Sequence, residues 1–134
     1  MRKLIVFLCL CVFLAPSAMA EPTCNGGSTI TANNGTTFCI SGKSMNWWSA
    51  FAWCESQKRK LADFSKECPD ASQAPAETEG QCPNLQGKGN VWVWSSLAQG
   101  SGSAISVKLS SGTVRSYNRK FGLDYGDYAY ALCE

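Results

Sequence analysis

The sequence predicts a small, disulfide-bonded α+β domain, and three observations support that fold class. Residues 46–61 have the apolar spacing of one amphipathic helix, and the segments before and after them have strand patterns. One helix accompanied by several antiparallel strands is an α+β arrangement. The third observation is a set of cysteines, spread from residue 24 to residue 133, that can link these elements in pairs.

Residues 1–20 have the layout of a secretory signal peptide. The chain begins with Met1-Arg2-Lys3, continues with an apolar run over residues 4–15 and ends in Ala18-Met19-Ala20, a small-residue cleavage site. The apolar run is shorter than the roughly 20 residues that span a bilayer. We therefore expect residues 21–134 to form one secreted or periplasmic domain, of bacterial character, with no membrane insertion after signal removal.

Cleavage changes the charge of the protein. The chain has 12 basic and 10 acidic residues, and removal of Arg2 and Lys3 leaves 12 − 2 = 10 basic residues, so the formal mature charge is zero. A neutral chain gives no reason to expect nucleic acid as a partner. Histidine is absent from the sequence, which removes Ser-His and Cys-His catalytic pairs and leaves only thiolates or carboxylates for zinc.

The mature cysteines predict disulfides. Of eight cysteines, Cys9 and Cys11 lie in the signal segment, which leaves 8 − 2 = 6. An even number in an exported chain indicates disulfides rather than metal or redox chemistry. The spacing alone does not choose among the possible pairings. The six are Cys24, Cys39, Cys54, Cys68, Cys82 and Cys133.

The first predicted element is a hairpin over residues 24–41. Residues 28–31 and 36–40 have strand composition on either side of Asn33-Asn34-Gly35, and Asn-Gly is a strong turn signal. Asn34-Gly35-Thr36 is also a glycosylation sequon. Because the export signal looks bacterial, we favour the turn.

The second element is a helix over residues 46–61 with Asn46 as its N-cap. Its apolar residues recur at spacings of three, four or seven, which places them near one face. We expect Trp47 and Phe51 to be core residues, whereas Trp48 and Trp53 fall off that face and could be buried or exposed. The proposed face consists of Trp47, Ala50, Phe51, Cys54 and Leu61.

The rest of the chain predicts a loop and then strands. Residues 66–90 are rich in proline and polar residues and show no hydrophobic periodicity, which indicates a long irregular loop. Cys68 and Cys82 lie on either side of its centre, which suggests that they close the loop. Alternating or β-branched segments follow, with a turn at Ser110-Ser111-Gly112. The predicted strands are residues 91–96, 104–109, 113–117 and 128–133.

Several of these residues resemble the C-type-lectin-like domain family. Asn46-Trp47, Ala50, Cys54 and Leu61-Ala62 are similar to the family's first helix, and Tyr130-Ala131-Leu132-Cys133-Glu134 is similar to its last strand. The strand-rich part from Val93 to Arg119 is similar to bacterial members related to formylglycine-generating enzymes. The resemblance implies a C-type-lectin-like fold, with one main helix packed on short antiparallel sheets.

The resemblance also implies a disulfide pairing. Cys54 on the helix would join Cys133 on the last strand, which leaves Cys24–Cys39 and Cys68–Cys82 as local pairs. The family usually has a glycine between the helix cysteine and Leu-Ala, but residues 57–60 of this chain are Gln-Lys-Arg-Lys. A non-glycine residue in a left-handed C-cap costs about 1 kcal/mol.

The function that the resemblance implies is non-catalytic recognition of a glycan or a protein. Family members that bind sugars through calcium use Glu-Pro-Asn or Gln-Pro-Asp together with Trp-Asn-Asp. Here Cys68-Pro69-Asp70 and Cys82-Pro83-Asn84 lack the oxygen-bearing side chain before proline, and no tryptophan follows Trp94. We therefore expect no calcium site of that type, and no other metal or cofactor.

Two other classes of function are alternatives to binding. An enzyme of the formylglycine-generating type needs a reactive cysteine pair, whereas every mature cysteine here has a plausible structural partner. A structural or assembly role, for example in a surface fibre or a secretion apparatus, is the alternative that the sequence leaves open. Thus we predict that the protein is not an enzyme.

Residues 117–128 form the predicted binding segment. They join two predicted strands and combine tyrosines, both signs of charge and two glycines, a mixture that recognition loops use. Trp48 is a second, weaker choice. The predicted ligand-binding residues are Tyr117, Arg119, Asp124, Tyr125 and Asp127.

Overall fold

The predicted α+β class is confirmed. The structure, a computed structural model, describes residues 22–64, 67–68, 80–99, 102–118 and 129–134. Within these ranges one α-helix and a short 3-10 helix, Pro83–Leu85, accompany seven strands. The elements in chain order are β1 Gly27–Thr31, β2 Thr37–Met45, α1 Trp47–Ser56, β3 Gly80–Gln81, β4 Trp92–Gln99, β5 Ser103–Lys108, β6 Thr113–Asn118 and β7 Ala129–Cys133. The predicted signal peptide lies outside the described residues.

The strands form one sheet in the order β1-β2-β7-β4-β5-β6-β3. The expectation of purely antiparallel pairing is wrong at one place, because β7 runs parallel to β4 with Trp92 opposite Ala129 and Trp94 opposite Ala131. The last strand, β7, lies between β2 and β4. It runs antiparallel to β2 and parallel to β4. Side chains alternate with period two in both kinds of pairing, so the sequence pattern carries no signal for strand direction.

The first hairpin follows its prediction. In the turn between β1 and β2, the Ala32 N–H donates to the Thr36 carbonyl at 2.8 Å and the Gly35 N–H donates to the Ala32 carbonyl at 3.0 Å. Gly35 has φ +90°, a conformation that glycine adopts readily. The second predicted hairpin, β5–β6, is also present, with Gly112 at φ +72°.

The helix begins where the sequence predicts and ends earlier. The Asn46 side chain accepts a hydrogen bond from the Ser49 N–H at 2.8 Å, which confirms the N-cap. The predicted end at residue 61 is wrong, because α1 stops at Ser56 and Lys58 takes the left-handed conformation with φ +59°. Leu61 instead forms a β-bridge with Cys133. The chain turns out of the helix so that the following residues can pair with the end of β7.

The two faces of the sheet bury separate apolar clusters. Alternation along β4 sends Val93 to one side and Trp94 to the other. The helix covers the Trp94 side, where Trp47, Ala50 and Cys54 pack with small residues of β7. Trp47 is buried as predicted. The opposite cluster contains large residues from β2, β4, β5 and β6, namely Phe38, Ile40, Val93, Ile105, Val107 and Val114.

The prediction that Phe51 belongs to the core is wrong, since its side chain is 39% exposed. Four residues advance a helix by roughly 400°, so Phe51 lies about 40° further round than Trp47. Trp47, Ala50 and Cys54 are the buried residues of the helix, and Ala50 and Cys54 lie round the helix axis from Trp47 in the opposite direction to Phe51. Of the two tryptophans whose burial the sequence left open, Trp48 is exposed and Trp53 is half-buried.

The three disulfides agree with the expected pairing. Cys24–Cys39, Cys54–Cys133 and Cys68–Cys82 have Cα–Cα distances of 5.6, 5.5 and 4.7 Å, within the usual range for the bond. The longest link joins α1 to β7. None of the helices in the described parts of the chain is long and apolar enough to cross a membrane.

Regular structure occupies part of the segment that the sequence predicts to be irregular. The two-residue strand β3 pairs with β6, Gly80 opposite Val114, and the 3-10 helix that follows buries Leu85. This part of the prediction is wrong because a two-residue strand and a single 3-10 turn are too short to leave a periodic pattern. Residues 69–79 lie outside the described residues.

Candidate functional site

Most of the binding segment predicted from the sequence lies outside the described residues. Tyr117 is in β6, with its backbone opposite Ala104 of β5, so it stands near the end of the strand from which the segment leaves. Arg119, Asp124, Tyr125 and Asp127 fall within residues 119–128, which the structure does not describe. That set of ligand-binding residues stays a prediction.

A second candidate surface is the outer face of α1. Trp48 is 56% exposed and Phe51 is 39% exposed, and they are the large hydrophobic side chains that stand out to solvent among the described residues. Both contact the buried Trp47. Its ring lies edge-on to that of Trp48 at a centroid distance of 4.8 Å, and is tilted against that of Phe51 at 5.4 Å. Aromatic pairs favour such offset or edge-to-face contacts.

The aromatic cluster rests on fixed supports. The Trp47 indole N–H donates to the Ser95 carbonyl at 2.8 Å, which ties the start of α1 to β4. The Trp94 indole N–H donates to the Met45 carbonyl at 2.7 Å, just before the helix begins. At the other end, Cys54 is bonded to Cys133. The exposed rings are therefore held on a helix that is attached to the sheet at both ends.

A groove lies beside these rings. It has a volume of 460 Å³ and is lined by Phe51, Glu55, Lys60, Leu61, Asp63, Ser96 and Glu134. A shallower hollow of 280 Å³ adjoins it, lined by Trp47, Trp48, Phe51, Ala52 and Glu55. The two share Phe51 and Glu55 and therefore adjoin along the helix. We call this combined surface the helix groove.

Three separate segments bring the charged residues of the helix groove together. Glu55 stands one helical turn after Phe51. Lys60 and Glu134 are joined through their backbones, the Lys60 N–H donating to the Glu134 carbonyl at 3.1 Å and the Glu134 N–H to the Lys60 carbonyl at 2.9 Å. The Asp63 N–H donates to Glu134 Oε1 at 3.4 Å. Carboxylates and an ammonium group thus line one end of the groove, and aromatic rings line the other.

The chemical groups of the helix groove are aromatic rings, carboxylates and an ammonium group. Within the described ranges, no group of three or more His, Cys, Asp or Glu side chains is placed to hold a metal ion. All cysteines in those ranges are in disulfides, so none of them supplies a thiolate. What the surface offers is exposed aromatic area, including a tryptophan, one of the residue types enriched at binding hot spots.

The sequence predicts this surface only in part. It makes Trp48 a second choice for ligand binding, but it places Phe51 in the core and gives no indication of the charged lining. The charged residues of the groove cannot be recognised from their neighbours in the sequence, because they come together only through the pairing of residues 60–62 with β7. They are Glu55, Lys60, Asp63 and Glu134. The position of Trp48, away from the apolar face of the predicted helix, is the one feature of the sequence that indicates this surface.

The fold and this surface define a disulfide-bonded α+β domain with an exposed groove of aromatic and charged residues. Comparisons with protein-family models, with curated proteins and with solved structures find no match to the chain.

Proposed function

We propose that this protein is an exported, non-catalytic binding module with a C-type-lectin-like fold. It recognises a glycan or a protein ligand without the usual calcium site. The observation that carries the proposal is the exposed pair Trp48 and Phe51 on a helix attached at both ends to the sheet. Neighbouring exposed aromatic rings form an apolar patch of the kind that marks interaction sites, and a preorganised surface loses little entropy when a ligand docks.

The C-type-lectin-like part of the proposal has support from the arrangement of α1. The helix packs on β7, β2 and β4, and the Cys54–Cys133 disulfide joins it to the last strand, as the family resemblance implies. The last strand lies in the middle of the sheet beside β2. The helix and the chain's C-terminal strand therefore share one core.

The test is a glycan and protein array probed with the purified, disulfide-bonded protein. A specific ligand is the expected result, and no ligand on either array would contradict the proposed function. Once a ligand is found, Trp48→Ala tests the helix groove, and Arg119→Ala and Tyr125→Ala test the predicted segment. Substitutions in the surface that binds should each weaken binding by about 1–2 kcal/mol with little change in thermal stability. If the Arg119 and Tyr125 variants bind normally and a change in residues 69–81 abolishes binding, the predicted segment is the wrong one.

Calorimetry tests the expectation of calcium independence. Addition of calcium should neither release heat of binding nor change the affinity for the ligand. A bound calcium on which a sugar ligand depends would overturn that part of the proposal.

The alternatives are tested separately. A reactive cysteine would leave a thiol to titrate in the native protein, and we expect none. An assembly component of a fibre or secretion apparatus should form higher oligomers on size-exclusion chromatography, whereas a binding module should elute as a monomer. Fractionation of expressing cells should place the protein outside the cytoplasm.

A further inference from the structure

The Cys24–Cys39 disulfide is the most accessible of the three disulfides. Cys24 is half-buried, whereas the other five cysteines in the disulfides are fully buried. A reductant breaks a disulfide when its thiolate attacks one of the two sulfur atoms, so access to a sulfur decides which bond reacts first. We therefore expect a thiol to attack at Cys24 and to leave the Cys39 thiolate inside the protein.

Cys39 lies opposite a cysteine of a second disulfide. On β2 it pairs with Cys133 of β7, and residues directly opposite each other on antiparallel strands project to the same face of the sheet. Both belong to the buried cluster that α1 covers, together with Cys54, to which Cys133 is bonded. Opposite residues of such strands have Cβ atoms about 4.5–5.5 Å apart. A freed Cys39 sulfur therefore lies beside the Cys54–Cys133 bond.

The backbone places Cys39 and Cys133 at a separation that a disulfide can span. The Gly42 N–H donates to the Gly26 carbonyl at 3.0 Å, so the backbone N–H and C=O groups of Gly42 face β1. Because these groups alternate in direction along a strand, those of Cys39 face β7. Opposite residues that exchange hydrogen bonds have Cα atoms about 5.5 Å apart, which is within the usual range for a disulfide.

The chain length between the cysteines also permits the exchange. A Cys39–Cys133 disulfide would close a sequence separation of 133 − 39 = 94 residues, against 79 for Cys54–Cys133. The entropy that a disulfide removes from the unfolded chain varies only with the logarithm of this length. Replacement of one bond by the other therefore leaves that contribution nearly the same.

From this arrangement we infer that Cys24–Cys39 is a thiol-exchange site, through which a small dithiol compound detaches α1 from β7. One thiolate of the dithiol attacks Cys24 Sγ, and the Cys39 thiolate leaves. The Cys39 thiolate attacks Cys133 Sγ, forms a Cys39–Cys133 disulfide and displaces the Cys54 thiolate. The second thiol of the dithiol then releases Cys24. The dithiol ends as a disulfide, and its two protons end on the thiols of Cys24 and Cys54.

The exchange removes the covalent support at the C-terminal end of α1. The hydrogen bond from the Trp47 indole to the Ser95 carbonyl still holds the N-terminal end. Reduction at a half-buried sulfur is thus passed to a fully buried one, and it decides whether the helix is covalently attached to the sheet. The inference goes beyond the proposed function and does not depend on it, because it concerns the disulfides and not the ligand.

Tryptic fragments distinguish the two pairings. Trypsin cleaves after lysine and arginine, so Cys24 and Cys39 share the fragment that ends at Lys43, whereas Cys54 is in residues 44–58 and Cys133 in residues 121–134. The native protein gives fragment 44–58 linked to fragment 121–134. Exchange gives the fragment that ends at Lys43 linked to fragment 121–134, and leaves fragment 44–58 with a free thiol.

The test treats the purified, disulfide-bonded protein with a limiting amount of dithiothreitol. Thiols are then labelled with N-ethylmaleimide in mild acid, where the loss of thiolate stops further exchange, and the tryptic fragments are identified by mass spectrometry. We expect label on fragment 44–58, a link between the fragment that ends at Lys43 and fragment 121–134, and no label on fragment 67–88, which contains Cys68 and Cys82.

Three results of this experiment would overturn the inference. The first is label on both Cys24 and Cys39 while fragment 44–58 stays linked to fragment 121–134, which means that no exchange follows reduction. The second is label on fragment 44–58 without the new link, which means direct reduction of Cys54–Cys133. The third is earlier label on fragment 67–88. None of these results bears on the array test of the proposed function.

Two single variants identify the attacking sulfur without a reductant. Cys24→Ser and Cys39→Ser each remove the same local disulfide and differ in which thiol remains. Label on fragment 44–58 is expected in Cys24→Ser, where the Cys39 thiol can exchange, and not in Cys39→Ser. Equal label in the two variants would show that Cys39 is not the nucleophile. If either variant fails to fold, the experiment on the unsubstituted protein still decides the inference.

Discussion

Removal of the Cys54–Cys133 disulfide should destabilise the protein more than removal of either local disulfide. The Cys54–Cys133 link spans a sequence separation of 79 residues, against 14 for Cys68–Cys82. In the chain-entropy model the closed loop restricts the unfolded chain by about 4.5 kcal/mol for roughly 80 residues and by about 3 kcal/mol for roughly 15. The difference between the two double variants should therefore be about 1.5 kcal/mol.

The comparison is matched for burial. All four cysteines are fully buried, so replacement of each pair by alanine leaves similar cavities and the loop-length difference remains. The measurement is the free energy of unfolding by guanidinium titration of Cys54→Ala/Cys133→Ala and of Cys68→Ala/Cys82→Ala. An equal or larger loss for the Cys68–Cys82 variant would refute the reasoning, because contacts in the native state would then outweigh the entropy of the unfolded chain.

Three further changes test the local structure, each by the free energy of unfolding. Asn46→Ala removes the helix cap and should cost about 1 kcal/mol; no loss would mean that water or another group replaces the cap. Lys58→Gly should stabilise the protein by up to about 1 kcal/mol, because residue 58 has φ +59°, and destabilisation would contradict this account of the helix end. Gly112→Ala should cost more than Gly35→Ala. Both glycines have positive φ, but a Cβ at residue 112 would lie 2.6 Å from the Cys82 carbonyl oxygen, whereas one at residue 35 would meet nothing within 4 Å. Equal losses would show that the backbone at residue 112 moves freely.

Features set by neighbouring residues could be predicted from the sequence. Asn34-Gly35 specifies its turn, because few residues tolerate positive φ, and Asn46 specifies the start of the helix, because its side chain caps a backbone N–H only a few residues away. Alternation located the strands after residue 90. The Cys54–Cys133 pairing came from the family resemblance, since cysteine spacing alone does not choose among partners.

The remaining features depend on long-range pairing and could be read only from the tertiary structure. The parallel contact of β7 with β4 leaves the period-two pattern of either strand unchanged. Leu61 repeats the helical spacing and yet pairs with Cys133, because both a helix face and a β-bridge can bury leucine in the same core. That pairing ends α1 early and brings Lys60 and Asp63 to Glu134. The helix groove therefore exists because residues more than 70 positions apart in the sequence pair at the end of β7, and no local pattern in the sequence indicates such a long-range contact.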